Sequence, residues 1–91
     1  MASEHETVLR VKGTASVPPL ASAISHAVYD GKTVTLRAIG AAAISQAIKA
    51  VAVARGYVAP RGIDLLLLPG FTTVTMSDGE VTAITLQVII R

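Results

Sequence analysis

At 91 residues the chain is long enough for one domain with a single two-layer core and too short for two. It has no cysteine, which excludes disulfides, thiolate metal sites and a cysteine nucleophile and suits a reducing cytoplasm; its start, MASEHETV, lacks the basic and apolar segments of a secretory signal, and no run reaches the ~18 apolar residues of a membrane span. Hydrophobic residues make up 52% and charged residues 15%, an apolar balance that points to a homodimer or larger assembly, while a net charge of +2 permits a polyanionic partner without demanding one.

Residues 1–6 are polar and aperiodic and read as a flexible tail. TVLRVK, residues 7–12, alternates as a half-buried strand, with Leu9 and Val11 on one face and Val8, Arg10 and Lys12 on the other. Ser16 then stands at a helix start whose first turn tolerates Pro18 and Pro19, because the first helical amides have no intrahelical partner to lose. Leu20, Ile24, Ala27 and Val28 form the buried stripe of that helix, which Gly31 ends. KTVTLRAI, residues 32–39, alternates again, with Val34, Leu36 and Ala38 inward and Thr33, Thr35, Arg37 and Ile39 outward. Gly40 turns the chain into an alanine-rich helix that ends at Gly56, with Ile44, Ile48 and Val51 as its stripe, small alanines flanking it, and Ser45, Gln46 and Lys49 away from it.

GYVAPRG, residues 56–62, connects this helix to a strand; Tyr57 and Val58 pack, Arg55 and Arg61 are exposed, and the absence of a Lys-Ser/Thr end rules out a phosphate-binding P-loop. Residues 63–76 form a strand that Pro69 marks as an edge or a bulge. Within it residues 65–68, LLLL, are apolar on both faces, where a sheet covered on one side alternates; Leu66 and Leu68 are therefore candidate subunit-contact residues. SDGE, residues 77–80, is a hairpin turn built on Asp78-Gly79, and residues 81–90 alternate as the last strand. The order β-α-β-α-β-β, with right-handed crossovers, gives a two-layer α/β fold: a mixed four-stranded sheet with both helices on one face.

Enzymatic chemistry finds no support in these residues. His5 lies in the tail and His26 has no acidic neighbour at ligand spacing, so no metal or other cofactor is expected. The carboxylates Glu4, Glu6, Asp30, Asp64, Asp78 and Glu80 are scattered, and Ser16, Ser22, Ser25 and Ser45 lack a base. No small-molecule substrate is implied. Tyr29, Tyr57 and Phe71 are the only aromatics and are expected to be packed, which argues against reading RNA by base stacking.

The segment RAIGAAAISQAIKAVAVARGYVAPRGIDLLLLPGFTTV, with its AIG, QAIKAVAVARGYVAP and GIDLL pieces, resembles the stage V sporulation protein S family; the match is close from the second strand through the third, and the remaining elements agree in order and length. The resemblance implies an Alba-like fold with sheet order 1-2-4-3 and a small bacterial protein of sporulation or developmental regulation. By analogy with Alba chromatin and RNA-binding proteins it also implies weak, non-specific nucleic-acid binding. Carried over by position, Lys12 falls loosely at the basic site after the first strand. Arg37, Gly40 and Ser45 fall at the start of the second helix, where free amides and the positive helix end suit a phosphate. Arg10 joins them on the same outward face if the first two strands are parallel neighbours. The hairpin tip departs from the Alba pattern: Ser77, Asp78, Gly79 and Glu80 are short and acidic where Alba has a long basic arm, so insertion into a minor groove is not expected. Two function classes follow, a nucleic-acid-binding regulatory module and a self-assembling interaction or scaffold protein.

Overall fold

The computed structural model describes residues 5–91, and the first four residues of the expected tail lie outside them. The elements run β1 (Glu6–Val11), α1 (Val17–Tyr29), β2 (Thr33–Ala38), α2 (Ala41–Val58), a 3₁₀ turn (Ala59–Arg61), β3 (Leu65–Met76) and β4 (Gly79–Ile90). The sheet order is β1-β2-β4-β3, with β1 and β2 parallel and the other pairs antiparallel. Glu6 belongs to β1 opposite Thr33, and the Thr33 amide donates to the His5 carbonyl, so the tail gives way to structure sooner than its polar composition suggests.

The two strand patterns of the N-terminal half set the inward face. Val11, Val34, Leu36 and Ala38 are buried against α1 and α2, joined by Leu65, Leu86 and Val88 of the hairpin strands. Burying side chains of this size contributes about 1.5–3 kcal/mol each, which makes this layer the main source of stability. Helix α1 presents Ala21, Ile24, Ser25, Ala27 and Val28 to it, and Leu20 is only half-buried at the edge. The Ser25 hydroxyl satisfies itself by donating to the Ala21 carbonyl at 2.9 Å. Ser16 has the extended backbone of a cap position but makes no side-chain bond there, because Pro18 and Pro19 occupy the two positions whose amides would donate to it and carry no N–H. The other end closes as expected: Gly31, at φ 74°, donates to the Val28 carbonyl and Lys32 to that of Ala27, the paired bonds of a glycine-terminated helix.

Helix α2 departs from the sequence reading twice. Its packed face is the alanine stripe, Ala43, Ala47, Ala50 and Ala54 with Val51 and Val58, whereas Ile44 is half-buried and Ile48 is exposed. The small side chains let α2 lie close to α1, and this close approach outweighs the greater hydrophobicity of the isoleucine rows. It also continues through Gly56 to Val58: an internal glycine costs only about 1 kcal/mol relative to alanine, and the two extra residues bury Val58. Pro60, which has no amide to donate, stops the α pattern, and Gly62 at φ 77° reverses the chain.

Strand β3 is the sheet edge and tolerates Pro69, as its position at the edge requires. Residues 65–68 alternate after all, with Leu65 buried, Leu67 half-buried, and Leu66 and Leu68 exposed on the helix-free face. The turn between β3 and β4 consists of Ser77 and Asp78, neither with positive φ, followed by Gly79 at φ 127°; Asp78 therefore does not take the left-handed turn role its Asp-Gly pairing suggests.

Candidate functional site

Pairing of β2 with β4 ends at Ala38 and Ile84, yet β3 and β4 stay paired to Met76 and Gly79. The last five residue pairs of the hairpin, Thr72–Ala83 to Met76–Gly79, thus form a two-stranded ribbon reaching past the carboxyl ends of β1 and β2. The turn is short, as the sequence indicates, but the arm carrying it is long. Two-stranded ribbons coil strongly. The ribbon brings Val74 and Met76, from the β3 edge of the sheet, to the same cleft as Arg10, from the opposite edge.

That cleft has a volume of about 380 Å³ and is lined by Arg10, Val11, Lys12, Gly13, Arg37, Ile39, Val74 and Met76. Its cations are placed by strand register. Arg10 and Arg37 are direct partners across the parallel β1–β2 pair, and alternation turns both away from the helices while Val11 and Ala38 beside them are buried. Like charges directly opposite on one sheet face repel. Among the described residues no carboxylate pairs with Arg10, Lys12 or Arg37.

Lys12 follows in a tight turn closed by the Ala15 amide on the Lys12 carbonyl at 3.0 Å. Two contacts press this turn against the start of α2. The Gln46 amide donates to the Ala15 carbonyl at 2.8 Å, and Gly13 packs so closely that a Cβ there would stand 2.9 Å from the Ala42 Cβ.

Of the five residues singled out from the sequence for polyanion contact, the structure brings Arg10, Lys12 and Arg37 together. Gly40, at φ 89°, forms the N-cap of α2 next to the lining residue Ile39 but is not itself in the cleft wall. Ser45 is exposed one turn into the helix, also outside it. Gly13, Ile39, Val74 and Met76 were not singled out. For Ile39 the outward parity of β2 was the available signal; for Val74 and Met76 there was none, because their place depends on the coil of the ribbon. Gln46, placed away from the isoleucine stripe, is half-buried and tethers the loop.

The aromatic side chains are not packed as expected. Tyr29 and Tyr57 are both exposed, and Phe71 is 76% exposed. The shortage of exposed rings that argued against stacking therefore does not hold, although none of the three lines the cleft. Tyr29 donates its hydroxyl to the Tyr57 carbonyl at 2.7 Å and carries the Arg61 guanidinium 4.2 Å from its ring centre. Among the described residues, no group of three or more His, Asp or Glu side chains is arranged to hold a metal, and no helix is long and apolar enough to cross a membrane.

Among solved structures, Alba from Thermoplasma volcanium is similar in fold, with a TM-score of 0.62 over 92% of this chain and 98% of that one, at 13% identity. The family model described as stage V sporulation protein S matches residues 7–91, from β1 through the end of β4. With a match that spans both helices and the whole sheet, the chain belongs to the stage V sporulation protein S family.

Proposed function

We propose that this chain is a non-enzymatic regulatory protein of bacterial sporulation or development that holds nucleic acid by its phosphates at the Arg10, Lys12 and Arg37 cleft. One observation carries the reading: three cations share a cleft with no acid among its lining residues, two of them forced side by side by strand register. Such an arrangement is costly in isolation and becomes favourable when an anion occupies it. The family name supports the developmental setting, and the Alba-like fold supports the nucleic-acid class by analogy. The start of α2 extends the contact, since Gly40 leads into first-turn amides that have no helical partner, and Ser45 adds a hydroxyl a turn later.

Fluorescence anisotropy with duplex DNA, single-stranded DNA and RNA at low and physiological salt tests this. Weak, salt-sensitive binding is expected, with Kd of about 10⁻⁴ to 10⁻⁶ M at physiological salt. Absence of binding to all three at low salt would remove the reading.

A second reading is favoured by Leu66 and Leu68, which are 41% and 56% exposed on the helix-free face of the sheet. In that reading the chain forms a homodimer or larger assembly through them and acts as a scaffold. Leu68→Glu then lowers the mass seen by light scattering, and a monomeric wild-type protein at tens of micromolar sinks the scaffold reading.

A further inference from the structure

The cleft has two kinds of wall, and phosphate contact uses only one. Arg10, Lys12 and Arg37 supply the charge. Beside them in the lining, Ile39 and Met76 are 43% and 50% exposed, and Val74 of the ribbon completes the apolar part. A duplex held by its outer phosphates leaves such a side wet, because its bases are stacked away inside the helix. The volume, about 380 Å³, falls in the range of sites that enclose a small organic group. An occupant that satisfies both walls carries an anion next to a flat, weakly polar face. The thioether of Met76 is flexible and polarisable, well suited to lie against a ring.

We infer that the cleft holds one unpaired nucleotide unit, its phosphate among Arg10, Lys12 and Arg37 and its base against Ile39, Val74 and Met76, so that single strands bind in preference to duplex. This rests on the nucleic-acid reading above and adds to it a base contact. The ribbon explains how an unpaired base gains entry: its outer part has no pairing to β2, so the Val74 and Met76 wall stands free of the main sheet. A base that has left its stack exposes both faces to water, and covering one of them favours the strand that presents it unpaired.

The test compares three probes of equal length at one low salt concentration by anisotropy: a mixed-sequence single strand, the same strand with abasic sites, and the duplex. The abasic strand keeps every phosphate and loses only the base. The intact strand is expected to bind roughly fivefold to tenfold more tightly than the abasic one, at the lower end of what a stacked base contributes. In Met76→Gln, which keeps side-chain length at an exposed position, that ratio falls toward one while binding of the abasic strand is unchanged. Competition with adenosine monophosphate separates the two sources of such a unit: displacement at micromolar concentration identifies a free nucleotide as the occupant, and displacement only at millimolar concentration identifies a residue of a strand. Equal binding of intact and abasic strands overturns the base contact but leaves phosphate binding standing. An intact-to-abasic ratio unchanged by Met76→Gln overturns the assigned wall. Loss of all binding at low salt overturns the proposed function itself.

Discussion

The two ends of the sheet handle positive charge in opposite ways. At the end where β3 begins, Asp64 accepts from the Arg55 Nε at 2.9 Å and lies 3.5 Å from Arg91 Nη2, while Arg61 rests on the Tyr29 ring. The cations there are matched within the chain. At the cleft end three of the chain's eight Lys and Arg residues meet with no acid among the lining residues. A net charge of +2 hides this difference, because the excess is not spread over the surface. An arginine that already has a partner gains little from an incoming phosphate; one crowded by another arginine gains its first counter-charge.

The sharpest way to break this comparison is charge reversal at each end. If three cations meet phosphates, log Kd against log salt on duplex DNA has a slope magnitude of roughly 2.7 per subunit, and Arg10→Glu/Arg37→Glu lowers it to about 0.9 or abolishes binding. Arg55→Glu/Arg61→Glu, which makes the same change of charge at the matched end, leaves the slope unaltered apart from a small screened offset. Equal losses from both variants would show that only total charge matters. Arg37→Ala alone weakens binding to a similar degree across sequences, since a phosphate contact carries no base information.

Next in size is the loop that holds Lys12 in place. Gly13→Ala pushes a methyl group to 2.9 Å from the Ala42 Cβ, and neither side is a flexible chain end. Overpacking of this kind costs about 1–3 kcal/mol. Urea unfolding should register the loss, and Lys12 should shift away from the cleft, reducing the salt slope as well as the affinity. The matched end contains a useful control in Gly56, where an added Cβ meets nothing within 4 Å and φ is not positive. Gly56→Ala should stabilise α2 by up to about 1 kcal/mol without affecting binding.

The same comparison explains how much was legible in the sequence. Strand parity placed Arg10 and Arg37 on one outward face, since period-two alternation needs no tertiary information once the buried residues are known. Element order and sheet order were also legible, from glycine and proline punctuation together with the family resemblance. Helix α2 was harder. Its alanine rows and its isoleucine row lie on adjacent sides of the helix, and hydrophobicity alone favours the isoleucines; only the proximity of α1 decides for the alanines. The apolar wall of the cleft was not legible at all. Val74 and Met76 lie some sixty residues from Arg10 and Lys12 along the chain, and their meeting depends on the coil of the ribbon rather than on any local pattern. The exposed aromatics were misjudged for a related reason: Phe71 has the parity of the helix-covered face, but it stands where the ribbon leaves that cover.

The smallest expected effect concerns Asp64, and it isolates what matching charges contributes. The bond from Arg55, reinforced by the Leu65 amide and by the charge of Arg91, holds its carboxyl below the ordinary carboxylate range. A folded-state value lower than the unfolded one means that the unfolded chain binds the proton first. The stabilisation is therefore complete above the unfolded carboxylate value, about 3.9, and is lost as pH falls through the folded value. Asp64→Asn keeps an oxygen to accept from Arg55 and the Leu65 amide, removes the charge and leaves an amide donor where Oδ2 faces Arg91. The urea midpoint of the wild-type protein should exceed that of the variant by a small margin that is constant well above the unfolded carboxylate value and shrinks to nothing as pH falls through the folded one. Because 37% of the Asp64 side chain is open to solvent, salt should shrink it too. Nucleic-acid binding should be the same in both proteins. A margin that does not shrink as pH falls below the unfolded carboxylate value would mean that the carboxylate acts through packing rather than charge, and a change in binding would mean that the two ends of the sheet are not independent.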